Sequence, residues 1–298
     1  MTRTQFEFTS TDGLQIACAR WEGLGAVRGV VQIAHGMGEH IGRYSGVIDS
    51  LVNCGLRVYG NDHRGHGRTA TSRAGLGNFG ANGFDALVGD IYRLNRIATK
   101  ENTGLPLILM GHSMGSFAAQ QFAIDHSREI DGLILSGSGA LDGLAKVAAA
   151  APAGTNILNA AFEPSRTPCD WLSRDPAVVD AFLADPLCFP QLQPSSFASF
   201  LAAAPRLADA NSLRTIRASL PIYLFSGSED PVGQQLSGVE VLMQRYRNAR
   251  VCNLSHDFYP GGRHEMLNEI NRSEVIERLL GWISALVGRP ASGRGALQ

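Results

Sequence analysis

A serine with a glycine two residues away on either side, in Gly111-His112-Ser113-Met114-Gly115, is the residue of this 298-residue chain best placed for covalent chemistry. Ahead of it Leu107 to Met110 is an apolar run short enough for a buried strand, and behind it Phe117 to Ala123 has the small-residue pattern of a helix. Strand, sharp turn and helix make the setting of a nucleophile elbow, in which a strained backbone holds the serine exposed. Glycines are needed on both sides because side chains there would strike the neighbouring strand and helix. A plain serine in a glycine-rich turn is the competing reading in a chain with 34 Gly, but no other Gly-x-Ser-x-Gly occurs.

A serine hydroxyl is a weak nucleophile at neutral pH and needs a base, itself oriented by a carboxylate. On elbow enzymes both follow the serine, acid before base. After the apolar run Ile222 to Phe225 comes Ser226-Gly227-Ser228-Glu229-Asp230-Pro231, which offers Asp230 as the acid, with Glu229 as runner-up and a helix N-cap as the bland alternative. Two histidines remain. His256 falls at the start of the last strand, whereas His264 lies in Tyr259-Pro260-Gly261-Gly262-Arg263-His264-Glu265, a loop leaving that strand's C-terminal end, so His264 is the expected base.

The tetrahedral intermediate needs two backbone N–H donors. Met114, next to the nucleophile, offers one, and Met37 in His35-Gly36-Met37-Gly38-Glu39-His40, directly after Val30 to Ala34, offers the other. His35 and His40, or His63 and His66 in Asp62-His63-Arg64-Gly65-His66-Gly67, are of metal-ligand type, but without a helix or a third ligand the spacing is weak, and no metal is expected. No cofactor is expected either. Gly75-Leu76-Gly77-Asn78-Phe79-Gly80 matches a dinucleotide fingerprint in letters only, with no strand before it or helix after it, and Asn268 stands where a zinc-protease pattern begun by His264-Glu265 would need histidine.

These residues must be positioned by regular elements. Gln5 to Phe8 and Leu14 to Ala19, around Asp12-Gly13, read as a hairpin. From Gly29 strand-length apolar runs alternate with helical periodicity: Val30–Ala34, a helix over Ser45–Cys54, Leu56–Tyr59, a helix over Phe84–Ala98, Leu107–Met110, the helix after Ser113, and Leu133–Leu135. Repeated βα units with continuous apolar strands imply an α/β fold, a mostly parallel sheet covered on both faces. The rhythm breaks over 139–214, rich in Ala and Pro, with helical stretches at Ala177–Leu183 and Phe197–Leu207 and no convincing strand. It resumes with Ile222–Phe225, a helix over Gln234–Tyr246, a short strand near His256–Tyr259 and a last helix with Ser273 as its N-cap and Gly288 with Pro290 as its stop. The expected division is a core of 1–138 and 215–290, a helical insertion over 139–214, and a loose tail over 291–298.

Composition excludes several functions. A formal net charge of -1 with scattered Lys and Arg argues against nucleic acid as a partner. Cys18, Cys54, Cys169, Cys188 and Cys252 form no C-x-x-C and no disulfide framework, Met1 to Gly13 lacks the apolar core of a signal peptide, and no run approaches a membrane span. A cytoplasmic protein is the expectation, which leaves the glycosylation sequons at Asn253 and Asn271 idle.

In sequence order HGMGEH (35–40), DHRGHG (62–67), GHSMG (111–115), GSEDPV (227–232) and YPGGRHEMLNE (259–269), the chain resembles the monoacylglycerol lipase and bacterial lysophospholipase group of α/β-hydrolases. Trp171 to Pro176 and Ala184 to Leu187 also resemble that group's cap, and Ser116 stands where it usually has glycine. The resemblance implies a carboxylic ester hydrolase with a helical cap, and maps nucleophile, acid, base and oxyanion donors onto the residues chosen above. The apolar stretch Leu141 to Phe162 would then roof the serine, with Ile157 and Leu158 as substrate-binding residues for a lipid-like small-molecule ester and a possible contact with lipid surfaces. An amide or peptide hydrolase with the same triad would need an acidic anchor for a free amine, and Asp170, Asp175, Asp180 and Asp185 are available. A hydrolase-fold ligand receptor is the reading outside catalysis. Oligomeric state is not legible.

Overall fold

The computed structural model describes residues 1–152 and 154–288. Its strands are β1 (Thr2–Thr9), β2 (Gln15–Glu22), β3 (Gly29–Ala34), β4 (Leu56–Asn61), β5 (Leu107–His112), β6 (Gly132–Ser136), β7 (Ile222–Gly227) and β8 (Leu254–Tyr259), joined in one sheet of order β1-β2-β4-β3-β5-β6-β7-β8. The β1–β2 hairpin is antiparallel and joins β4 antiparallel; from β4 to β8 every pairing is parallel. Parallel strands need crossovers, and α1 (Ser45–Asn53), α2 (Gly83–Glu101) and α3 (Met114–His126) supply the first three. The segment after β6 holds α4 (Leu141–Ala150), α5 (Pro176–Ala184), α6 (Pro194–Leu201), α7 (Ala204–Ala208) and α8 (Ala210–Leu213); α9 (Ser237–Asn248) links β7 to β8, and α10 (Arg272–Val287) closes the described chain.

Side-chain alternation along the strands makes two cores. In β5, Leu107 and Leu109 face the apolar cluster containing α2, α3 and α9, while Ile108 and Met110 face the one containing α1 and α10. All residues of β3, β5, β6 and β7 are buried, which is why these strands read as unbroken apolar runs. Leu192, Phe200, Ala204, Leu207 and Leu213 join the first cluster, so α6, α7 and α8 pack on the same side of the sheet as α2 and α3.

Three local expectations need correction. Phe197–Leu207 is not one helix: Pro205 has no N–H to continue the ladder, so α6 ends and α7 starts with that proline in its first turn. The helix expected from Gln234 starts at Ser237, because Gln234, Gln235 and Leu236 all have positive φ (52°, 48° and 74°). Asn271, not Ser273, occupies the N-cap position of α10. Pro290 and the expected tail lie outside the described residues. Among the described residues no helix is long and apolar enough to cross a membrane.

Candidate active site

Because β3, β5, β7 and β8 run parallel, the loops at their C-terminal ends meet on one edge of the sheet. At the end of β5, Ser113 takes φ 52° and ψ -124°, outside the regions an L-residue prefers, at a typical cost of roughly 1–3 kcal/mol. The surroundings enforce it. A Cβ on Gly115 would overlap the carbonyls of Ala34 and His35, and one on Gly111 would overlap the backbone of Gly115. Ser113 N–H donates to Ser136 O at 2.9 Å, and its own carbonyl accepts from Ser116 N and Phe117 N as α3 begins. The side chain is only partly buried.

The loop after β3 lies directly against the serine, since a Cβ on Gly36 would stand 3.0 Å from Ser113 Cβ. On either side of Met37 its backbone is fixed: Gly36 N–H donates to Glu39 Oε1 at 2.6 Å, and Phe189 N–H donates to Gly38 O at 2.9 Å. Met114 is the first residue of α3, so its N–H is one of those a helix leaves without an internal acceptor. His35 has both ring nitrogens engaged, Nδ1 with Gly36 O at 2.8 Å and Nε2 accepting from His63 N at 2.9 Å. Burial lowers the pKa of His35, as it does for His63 and for His66, which falls to about 3; these rings stay neutral and brace the loop.

Beyond β7, Asp230 is fully buried, and its Oδ1 accepts from Val232 N and from His264 Nδ1, both at 2.9 Å. Glu229 is exposed. His264 is 2% exposed and lies between the rings of His112 (4.7 Å) and Trp171 (4.8 Å). Burial alone would lower its pKa, but the carboxylates of Asp230, Glu265 and Glu39 outweigh it and hold the pKa above the ordinary 6.5. His256 is an exposed residue of β8, against Phe258. A Cβ on Gly137, after β6, would lie 2.9 Å from His112 Cε1 and from His264 Nδ1, which places the buried histidine at the elbow.

At this edge of the sheet a strained serine, an imidazole held by a buried carboxylate and the backbone N–H at the start of α3 lie together. The family model for the serine aminopeptidases of the S33 class matches residues 25–271. A monoacylglycerol lipase of Mycolicibacterium smegmatis is 31% identical over 95% of this chain and 97% of its own length, and the human monoglyceride lipase is 27% identical over 92% and 88%. The solved structure of a thermostable carboxyl esterase from Bacillus coagulans superposes with a TM-score of 0.86 at 29% identity, covering 96% of this chain and 99% of the other. The chain belongs to the S33 serine hydrolase family, among the α/β-hydrolases of the monoacylglycerol lipase group. It is a serine hydrolase.

Several side chains that serve this hydrolase's site carried no signal in the sequence. Arg43 forms a two-pronged ion pair with Glu265 (2.6 and 2.8 Å) and another with Glu39 (2.8 Å), while Tyr44 OH donates to Glu39 Oε1 at 2.6 Å. The pair joins the loop after β3 to the loop of His264 across 222 residues of sequence. Glu39 is held down to about 2, since the Arg43 guanidinium, with the Tyr44 hydroxyl, overcomes its burial. Glu269, also buried, accepts from Arg174 Nε (3.0 Å), Arg174 N (2.9 Å) and Arg263 N (3.1 Å), which ties the stretch after Trp171 to the base loop. Ser116 has a definite role where the family usually has glycine: its Oγ donates to Ser113 O at 2.6 Å and lies 2.8 Å from Ser138 Oγ.

The DHRGHG stretch is scaffolding. Arg64 is fully buried and bonds Asp90 Oδ2, Asp12 Oδ2 and Phe79 O, joining the hairpin turn to α2, while Asp62 accepts from Ile41 N and Arg68 N. Leu158 packs against the same apolar cluster as Met37, Leu144 and Phe189; Ile157 is half-buried and outside that cluster.

Proposed function

We propose that this ester hydrolase acts through an acyl-enzyme on Ser113 and takes monoacylglycerols or closely related lipid esters. Ser113 Oγ attacks the ester carbonyl while His264 Nε2 accepts its proton, and Asp230 holds the imidazole in the Nδ1–H tautomer and stabilises the imidazolium. The N–H groups of Met37 and Met114 bind the oxyanion. Collapse breaks the C–O bond, and the leaving alkoxide takes the proton from His264. Water, activated by His264, then releases the fatty acid and restores Ser113. The observation that carries this reading is the buried 2.9 Å contact of His264 Nδ1 with Asp230 beside the strained elbow.

Substrate class is supported from two directions. The similar proteins are called monoacylglycerol and monoglyceride lipases, and the Bacillus coagulans esterase was solved with glycerol. We read 139–214 as a cap. Its exposed Val147, Leu183 and Phe197 suit contact with a lipid surface, and Leu158 with Ile157 suits the wall of an acyl groove. A cytoplasmic setting agrees with five free thiols.

The peptidase alternative is disfavoured by charge. Each of the four acids that could anchor a substrate amine is already engaged: Asp170 by Thr167, Asp175 by Ala177 N and Arg272, Asp180 by Arg166, and Asp185 by His40. The test is a panel of p-nitrophenyl esters from acetyl to dodecanoyl, 1-monoacylglycerols, lysophospholipids and aminoacyl anilides. KM should fall stepwise with acyl length, each buried CH₂ contributing about 0.8 kcal/mol, and the double change Ile157→Asp, Leu158→Asp should flatten that trend while sparing acetate hydrolysis. Equal kcat/KM for acetyl and octanoyl esters, or preference for the anilides, would overturn the substrate assignment.

A further inference from the structure

The loop after β3 and the stretch after α5 meet at a second group of chemically active side chains, beside the loop that carries Met37. His40, Asp185 and Cys188 each offer one ligand atom, and the three atoms lie within 4.8 Å of one another. We propose that they form a divalent transition-metal site of zinc type that fastens residues 185–189 to the loop carrying Met37. His40 is the one local ligand; Asp185 lies 145 positions further along the chain, with Cys188 in the same turn.

The donor set favours that chemistry. One imidazole nitrogen, one carboxylate oxygen and one sulfur suit Zn²⁺ or Cd²⁺ and poorly suit Ca²⁺ or Mg²⁺, which take oxygen. Three protein ligands leave a fourth position for water. The ring is already aimed: His40 Nε2 is 2.9 Å from Asp185 Oδ2, and Nδ1 accepts from Gly42 N at 3.2 Å. Asp185 is itself placed by Leu187 N–H on Oδ1 at 2.8 Å, and Cys188 N–H donates to Asp185 O at 3.0 Å, so acid and thiol belong to one turn. Electrostatics help. Asp185, Glu39 and Glu265 put three carboxylates around the group against the single guanidinium of Arg43, a net negative field for a dication. All three ligands are part-exposed, which leaves an entry path.

Protons balance simply. Burial pushes the Cys188 thiol up to about 12, although Arg43 pulls it the other way, so the ion must displace that proton: Cys–SH and M²⁺ give Cys–S–M⁺ and H⁺. When Nε2 binds the metal its proton moves to Nδ1, and the exposed Gly42 N–H turns to water. Affinity therefore rises with pH. Gly38 and Phe189 are already hydrogen-bonded, so an ion at this place would add a covalent-strength link to an existing seam beside the oxyanion loop. The effect on turnover rests on the serine mechanism proposed above; binding does not.

The test is a titration of the reduced full-length protein with Cd²⁺, read by the thiolate-to-cadmium charge-transfer absorption, and with Zn²⁺, read by melting temperature. The wild type should saturate at one equivalent and gain melting temperature on binding. Cys188→Ala, with unaltered melting temperature in the absence of metal, should lose the absorption, and Asp185→Asn should weaken binding at least tenfold. An unchanged cadmium signal in Cys188→Ala would assign it to Cys54 or Cys252 and overturn the proposal, as would the absence of saturable one-to-one binding in the wild type. Loss of activity in Ser113→Ala with metal binding retained separates this site from the catalytic one.

Discussion

Around Ser113 the backbone is fixed by contacts that a side chain at Gly111 or Gly115 would break, whereas α4, in the segment after β6, has one buried residue, Leu141. At the elbow, Gly111 and Gly115 have no room for a Cβ, β5 is buried along its whole length, and Glu39, Arg43, Glu265 and Asp230 hold adjoining loops through buried charges. Within 139–214 Leu192, Phe200, Ala204, Leu207 and Leu213 join the core, while Val147, Leu183 and Phe197 are left exposed. The contrast divides the labour. In the mechanism proposed above, the over-determined part would set which reaction occurs, because an oxyanion donor or imidazole must be placed to within a fraction of an ångström. On the proposal above, α4 with its single buried residue could vary its apolar surface without disturbing that geometry, and so would bear on which ester is accepted.

The largest effect is expected at the fully buried Asp230. Asp230→Asn keeps the volume but offers an NH₂ group where His264 Nδ1–H needs an acceptor, so kcat should drop by about 10⁴ with folding intact. Steady-state kinetics beside a melting curve decide it; a drop under tenfold would mean that Asp230 does not orient the base. Next in size is the oxyanion loop. Met37→Ala keeps the N–H and should be mild, whereas Met37→Pro removes it and should reduce kcat by ~10²–10³. Equal losses for the two would assign the effect to the side chain.

The smallest expected effect is a shift in pH dependence. His264 must be neutral to accept the serine proton, and its raised pKa places the rising limb of kcat/KM above pH 6.5. Glu265 is one of the carboxylates that favour the imidazolium, so Glu265→Gln should move that limb toward acid. A limb that moves toward alkali, or one untouched by the change, would show that Glu265 acts only through its pair with Arg43.

Legibility in the sequence follows the same division. The elbow could be read locally because sterics demand glycine at fixed spacing on both sides of one serine, and the parallel strands could be read because burial on both faces leaves no polar alternation. Asp230 and Glu229 are neighbours with the same chemistry, and only the turn that buries one and exposes the other distinguishes them. Arg43 with Glu265, and Arg174 with Glu269, are long-range pairs with no local pattern. The late start of α9 was hidden because three successive non-glycine residues with positive φ have no sequence signature. Within 139–214 alanine and proline fit helix, turn and loop alike, so Phe197–Leu207 read as one helix although Pro205 divides it.

Where the acyl group goes decides the mechanism. Treatment with a fluorophosphonate, followed by peptide mapping in a mass spectrometer, should give one adduct on Ser113, absent in Ser113→Ala and strongly slowed in His264→Ala. Modification at another residue, or an unlabelled Ser113 in protein that still hydrolyses esters, would contradict it.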